Sequence, residues 1–159
     1  MDNLTGERVE KLVVERAKAQ DAPAIKRMVD AAYSKYIERI GKLPAPMTTD
    51  YNKLVETQNV YVLRVGGSMI GSILLSMDGE SVKVNNLVVD PPAQGRGYGR
   101  LLMDYAEDMA RAQGLAAVTL FTNEKMHENI ALYTKIGFTE TGRKTEDGYN
   151  RVFFRKNLV

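Results

Sequence analysis

Apolar positions along this chain recur at two spacings, and the switches between them predict its elements. Residues 11–17 alternate and predict a first strand. Ile25, Met28, Val29, Ala32, Tyr33, Tyr36, Ile37 and Ile40 then fall at helical spacing. Asp21 suits the N-cap of that helix, Pro23 its first turn and Gly41 its stop. Leu43-Pro44-Ala45-Pro46-Met47 cannot be regular helix, because each proline drives its predecessor toward extended geometry. Thr48 or Thr49 is placed to cap a short helix running to about Glu56. Residues 60–65 and 69–77 read as a hairpin turned at Gly66-Gly67, and Asp78-Gly79 turns the chain into a strand at 82–89. Leu101, Leu102, Tyr105, Ala106, Met109 and Ala110 form one face of a long helix stopped by Gly114. A strand at 116–121, a helix at 128–136 ended by Gly137, and strands at 138–144 and 149–156 complete the chain.

Strands 82–89 and 116–121 flank the long helix, which makes a β-α-β unit and requires them to be parallel. The hairpins around them are antiparallel. The expected fold is α/β: a mixed, mostly antiparallel central sheet with helices on both faces. A length of 159 residues suits one domain, expected over 11–159, behind a polar and flexible segment at 1–10.

Charge and composition narrow the chemistry. The formal net charge of +2 gives no reason to expect nucleic-acid or membrane binding. No apolar run is long enough to cross a bilayer, and residues 1–6 lack the apolar core of a secretion signal, so a cytoplasmic location is expected. Cysteine is absent, which removes disulfides and thiolate catalysis. The lone histidine, His127, reads as a surface or capping residue, and no ligand set for a metal is expected.

The stretch from Val84 to Leu102 holds the candidate chemistry: a buried strand, a proline-marked exit, a glycine-rich turn and a helix start. Unpaired amides and the helix dipole make such a turn a socket for phosphate or pyrophosphate. A Walker loop would end in Gly-Lys-Ser/Thr, which is missing. A dinucleotide fingerprint would need a third glycine where Arg100 stands and an acidic residue about twenty positions later. Gln94-x-x-Gly97-x-Gly99 does match the Q/R-x-x-G-x-G/A signature of the GNAT acetyltransferases. Residues 129–138, a short helix with Tyr133 that ends in Gly137-Phe138, resemble that family's second landmark. The similarity extends from about Val13 to the C-terminus.

The resemblance implies acetyl-CoA as cosubstrate, held in a gap where the two parallel strands splay apart. It implies that the backbone of Leu87, Val88 and Val89 binds the pantetheine, with the Leu87 amide as oxyanion donor. Gln94, Gly95, Arg96, Gly97, Tyr98, Gly99 and Arg100 would cradle the pyrophosphate, with Lys135 as a further candidate cation. Tyr133 would donate a proton to the leaving thiolate; the alternative reading is a core aromatic, since Ile130, Tyr133 and Ile136 share helical spacing. Many members carry an asparagine where Met126 stands, and Asn129, one turn along, is the candidate replacement. Glutamate bases of other branches align with Lys83 and Phe121, so no general base carries over; Asn86, Glu124 or Tyr51 are candidates to relay through water.

The resemblance puts the acceptor wall at Tyr33, Tyr36, residues 44–47 with Met47, Asp50, Tyr51, Asn86 and the Gly148-Tyr149 turn. Asp50 or Glu38 is a candidate to hold a cationic amine, with a helix-start role as the alternative for Asp50. The implied activity is acetyl transfer to a small-molecule or peptide amine by direct attack in a ternary complex. The alternative is a non-catalytic acyl-CoA-binding module. Homodimers are common in the family.

Overall fold

The computed structural model describes residues 11–158. The expected flexible segment at 1–10 lies outside the described residues. Seven strands form one sheet: β1 (Leu12–Arg16), β2 (Asn59–Val65), β3 (Ser68–Asp78), β4 (Ser81–Val89), β5 (Ala117–Asn123), β6 (Thr139–Glu146) and β7 (Tyr149–Asn157). Their order is β1-β2-β3-β4-β5-β7-β6. Five helices join them: α1 (Ala22–Tyr33), α2 (Tyr36–Ile40), α3 (Tyr51–Thr57), α4 (Tyr98–Ala112) and α5 (His127–Lys135). Among the described residues only β4 and β5 pair in parallel, with α4 as the crossover; the other neighbours are antiparallel. This is the mixed sheet the pattern predicts.

The sheet separates two cores. Leu63, Ile73, Leu75, Val82, Val84, Val118, Leu120 and Phe154 pack with Leu102, Met103 and Ala106 of α4 and Tyr133 of α5. On the other face, Val60, Val62 and Val88 meet Ile25, Met28 and Val29 of α1, Tyr36 of α2 and Tyr51 and Val55 of α3.

Three local expectations change. The helix expected through Ile40 breaks after Tyr33 into α1 and α2. The spacing reads through this break because Tyr33 and Tyr36 still bury side by side, ring centroids 6.1 Å apart. Asp21 does not cap α1 with its side chain. Its Oδ2 accepts from the Lys18 amide (2.8 Å) and its Oδ1 from Arg64 (2.7 Å). The cap of α3 is Asp50, whose Oδ1 accepts from the amides of Asn52 (3.1 Å) and Lys53 (3.3 Å). Thr48 and Thr49 instead donate to the Ala45 carbonyl.

One irregularity positions the site. Leu74 pairs with Asn86 while Leu75 pairs with Val84, so Asn85 is an extra residue in β4. A bulge of this kind shifts the side-chain alternation by one. Val82 and Val84 accordingly face the α4 core before it, and Leu87 and Val89 face that same core after it. The pairing of β4 with β5 runs from Ser81–Ala117 to Val84–Leu120 and stops at the bulge. Beyond it the two strands part.

Candidate active site

Hydrogen-bonded pairs alternate along an antiparallel ladder. The Asp90 amide donates to the Ile70 carbonyl (2.8 Å), so Val88 and Asn86 face β3 in the same phase. Leu87 and Val89 therefore turn their amides and carbonyls away from β3, into the gap that β5 has left. Both carbonyls have partners. Leu87 O accepts from the Tyr33 hydroxyl (3.1 Å) and Val89 O from Gln94 Nε2 (3.0 Å). Gln94 thus ties the glycine-rich turn back to the strand it leaves.

That turn crosses Gly95 and Gly97 with φ of 82° and 87°, a region that side chains rarely adopt. A Cβ built at either position meets no atom within 4 Å, so the space in front of the backbone is open. Gly97 caps α4 without a side-chain bond, and the first amide that returns to the turn is Leu101 to Gly97 O (3.0 Å). Among the described residues, no group accepts from the amides of residues 95–100. These donors and the helix dipole face a cleft of about 330 Å³.

This cleft is lined by Leu87, Val88, Val89, Gln94, Gly95, Gly97, Tyr98, Gly99, Arg100, Asn129 and Tyr133, together with Tyr33, Tyr36, Lys35 and Glu128. It meets a narrower pocket of about 70 Å³ across Tyr33, Leu87, Asn129 and Tyr133, which line both. The narrow pocket is walled by Pro44, Ala45, Pro46 and Tyr149, with Asn86, Phe121, Met126 and Arg151. Its wall is a dock between two distant segments. Tyr149 donates to Leu43 O (2.6 Å) and Lys42 to Gly148 O (2.7 Å).

Tyr133 sits at the junction, 7 % exposed and edge-on to Phe138. Burial pushes its hydroxyl up to about 12, with Tyr36 adding to the effect. Among the described residues Tyr133 makes no side-chain hydrogen bond, and it lines both cavities. Burial also raises Tyr33, with Tyr133, Tyr51 and Tyr36 nearby, so its hydroxyl remains a donor. Its second contact is Asn86 Oδ1 (3.3 Å), and Asn86 Nδ2 donates to Tyr51 (3.2 Å).

Several expected residues lie elsewhere. Met47 and Tyr51 border neither cavity: Met47 packs beside the α1 core, and Tyr51 is buried and donates to Pro46 O (2.7 Å). Tyr36 borders the wide cleft and not the narrow pocket. Arg96 and Lys135 border neither cavity, and Glu38 is exposed on α2. Glu124 accepts from Asn150 (2.8 Å), outside both. Met126 sits in the narrow pocket with its sulfur 3.6 Å from Asn129 Nδ2. The bulge at Asn85, Arg151, and the bidentate pair from Arg39 to Glu128 (2.6 and 3.1 Å) had no expectation. Arg39 and Glu128 come from segments far apart in sequence, and Arg151 meets Phe121 only through the pairing of β5 with β7.

A model of the acetyltransferase (GNAT) family matches residues 24–138. The chain belongs to this family. The GNAT match spans the glycine-rich turn and ends at Phe138, so it includes both sequence landmarks. An IAA acetyltransferase of Azospirillum brasilense is 39% identical over 83 residues, 51% of this chain and 54% of that protein. The N-alpha-acetyltransferase RimI of Mycobacterium tuberculosis is 32% identical over 108 residues, 65% of this chain and 66% of its own. The chain thus spans about half to two thirds of these relatives. PaiA N-acetyltransferase of Thermoplasma acidophilum, solved in complex with coenzyme A, superposes with a TM-score of 0.73 at 13% identity, covering 93% of this chain and 99% of that one. At that identity the likeness establishes the GNAT fold.

Proposed function

We propose that the protein transfers an acetyl group from acetyl-CoA to an amine by direct attack, with both substrates bound. One observation carries this reading: the outward-turned Leu87 main chain, the free amides of Gly95 and residues 97–100, and Tyr133 all border one continuous opening. The site residues fit the cosubstrate. Open space in front of Gly95 and Gly97, with Lys35 and Arg100 on the cleft, suits a pyrophosphate. The main chain of Leu87, Val88 and Val89 suits the amide groups of a pantetheine, and Asn129 supplies a side-chain amide where many relatives have one at the Met126 position.

Acetyl-CoA, when bound, supplies an acetyl group activated as a thioester. The Leu87 amide is a fixed donor for the carbonyl oxygen as it gains charge, a contribution of about 2.7–4 kcal/mol in comparable sites. The attacking nitrogen forms the new C–N bond as the C–S bond breaks, and its proton leaves to water. Tyr133 donates a hydrogen bond to the departing sulfur. A phenol held near 12 is a weaker acid than a thiol of about 8.5, so full transfer must be coupled to proton loss from the nitrogen.

Among the described residues no carboxylate lines the narrow pocket. In this reading the acceptor arrives with its amine already neutral. The α-amine of a peptide titrates about 2.5 units below a lysine, so a few hundredfold more of it is neutral near pH 7. Peptide α-amines and weakly basic small-molecule amines are the expected acceptors. The setting is cytoplasmic and the assembly a homodimer in this reading; among the described residues no helix is long and apolar enough to cross a membrane. Steady-state acetylation of an amine panel at neutral pH tests the proposal, with α-amines expected ahead of lysine ε-amines. Acetyl-CoA binding without turnover of any amine would favour the non-catalytic module.

A further inference from the structure

We infer that the acceptor carries a carboxylate as well as its amine, and that Arg151 reads it. This rests on the acetyl-transfer reading of the site. Arg151 is the one charged residue that lines the narrow pocket among the described residues. The rest of its polar lining consists of amides and hydroxyls, and no acid is present to hold a cation. Glu38 and Asp50, candidates for that role, are respectively exposed on α2 and occupied in capping α3.

The guanidinium is built into place. Its side chain is only 14 % exposed, and its Cζ lies 4.4 Å from the Phe121 ring centroid and 5.9 Å from that of Tyr149. Nη1 donates to Glu146 (3.0 Å), while Nε and Nη2 have no acceptor among the described residues. A planar fork with free donors, stacked on two rings, is suited to a carboxylate. Two lysines stand beside these rings. Lys83 Nζ lies 5.3 Å from the centroid of the same Phe121 ring, and Lys42 Nζ lies 4.0 Å from that of Tyr149. Glu146 is the one acid in ion-pair contact with Arg151. A purely cationic acceptor such as a polyamine meets the wrong sign of field there, whereas an amine paired with a carboxylate is complementary.

The test compares matched acceptors with the wild-type protein: free amino acids, their carboxamides, and short peptides with aspartate or alanine at the N-terminus. Rates are expressed per concentration of unprotonated amine. The expected result is a kcat/KM at least tenfold higher for the member of each pair that carries the carboxylate. The free amino acids and the aspartyl peptides separate a small-molecule source from a peptide source. Arg151→Gln should raise KM for the acidic acceptor about tenfold more than for the carboxamide, leave the acetyl-CoA Kd unchanged, and be partly restored in Arg151→Lys. Equal turnover of acid and carboxamide would overturn the inference and leave acetyl transfer standing, as would an Arg151→Gln defect common to both. If no amine is turned over, the transfer reading fails. Calorimetric binding of the same pairs to CoA-loaded protein then decides: preference for the acid supports the carboxylate site, and equal or absent binding overturns it.

Discussion

Tyr133 belongs to the core and to the proposed site at once. Its ring packs against Phe138 and Phe154, and among the described residues it makes no side-chain hydrogen bond at the junction of two cavities. The core role read from helical spacing and the proton-donor role implied by the resemblance concern opposite ends of the same side chain. Because burial holds the hydroxyl near 12, it remains a donor across the whole range in which an acetylation assay is run. Tyr133→Phe keeps the ring packing and removes only the donor. The expected outcome is a fall in kcat on the order of 10²-fold with little change in acetyl-CoA Kd, read by steady-state kinetics and titration. A variant with unchanged kcat would remove Tyr133 from the proposed mechanism.

Between elements, placement depends on interactions that strand and helix patterns do not encode. Arg64 of β2 joins Glu15 of β1 (2.7 Å) to Asp21 ahead of α1 (2.7 Å). Desolvation raises the Asp21 carboxyl, but the Lys18 amide and the Arg64 guanidinium outweigh it and hold the group below its usual value. A carboxyl lowered by folding contributes stability that is present above its unfolded value and lost as pH falls through the folded one. Asp21→Asn should cost about 1 kcal/mol in denaturant unfolding at pH 7, with the difference from wild type shrinking as pH falls through the lowered folded value of the carboxyl. A pH-independent difference would contradict the ion-pair account. The same limit explains what was and was not legible in sequence. Hairpins announced by Gly66-Gly67 and Asp147-Gly148, and the start of α4 behind Gly97, follow from local backbone chemistry. Asn85 does not. Its neighbours Val82, Val84, Val88 and Val89 are apolar on either side, so a strand is legible while the extra residue that flips its faces is not. Arg151 was equally silent, because its place beside Phe121 depends on the pairing of β5 with β7.

Across the whole molecule, the bulge, the parted strands and the glycine-rich turn act as a single device. The bulge ends the parallel pairing, the gap frees the Leu87 and Val89 amides, and the strand delivers the chain to the start of α4 on the same side. Both sequence landmarks converge on this device from segments more than thirty residues apart. The chain belongs to the GNAT family, and the account of its activity rests on main-chain donors rather than on any charged catalytic side chain. The most direct measurement is calorimetric titration of acetyl-CoA into the wild-type protein and into Gly97→Val. The account predicts saturable one-to-one binding by the wild type and binding weakened at least tenfold in the variant, because a β-branched residue cannot hold a φ of 87° and its side chain would fill the space in front of the amides. No association of acetyl-CoA with the wild type, or equal affinity in both proteins, would contradict it.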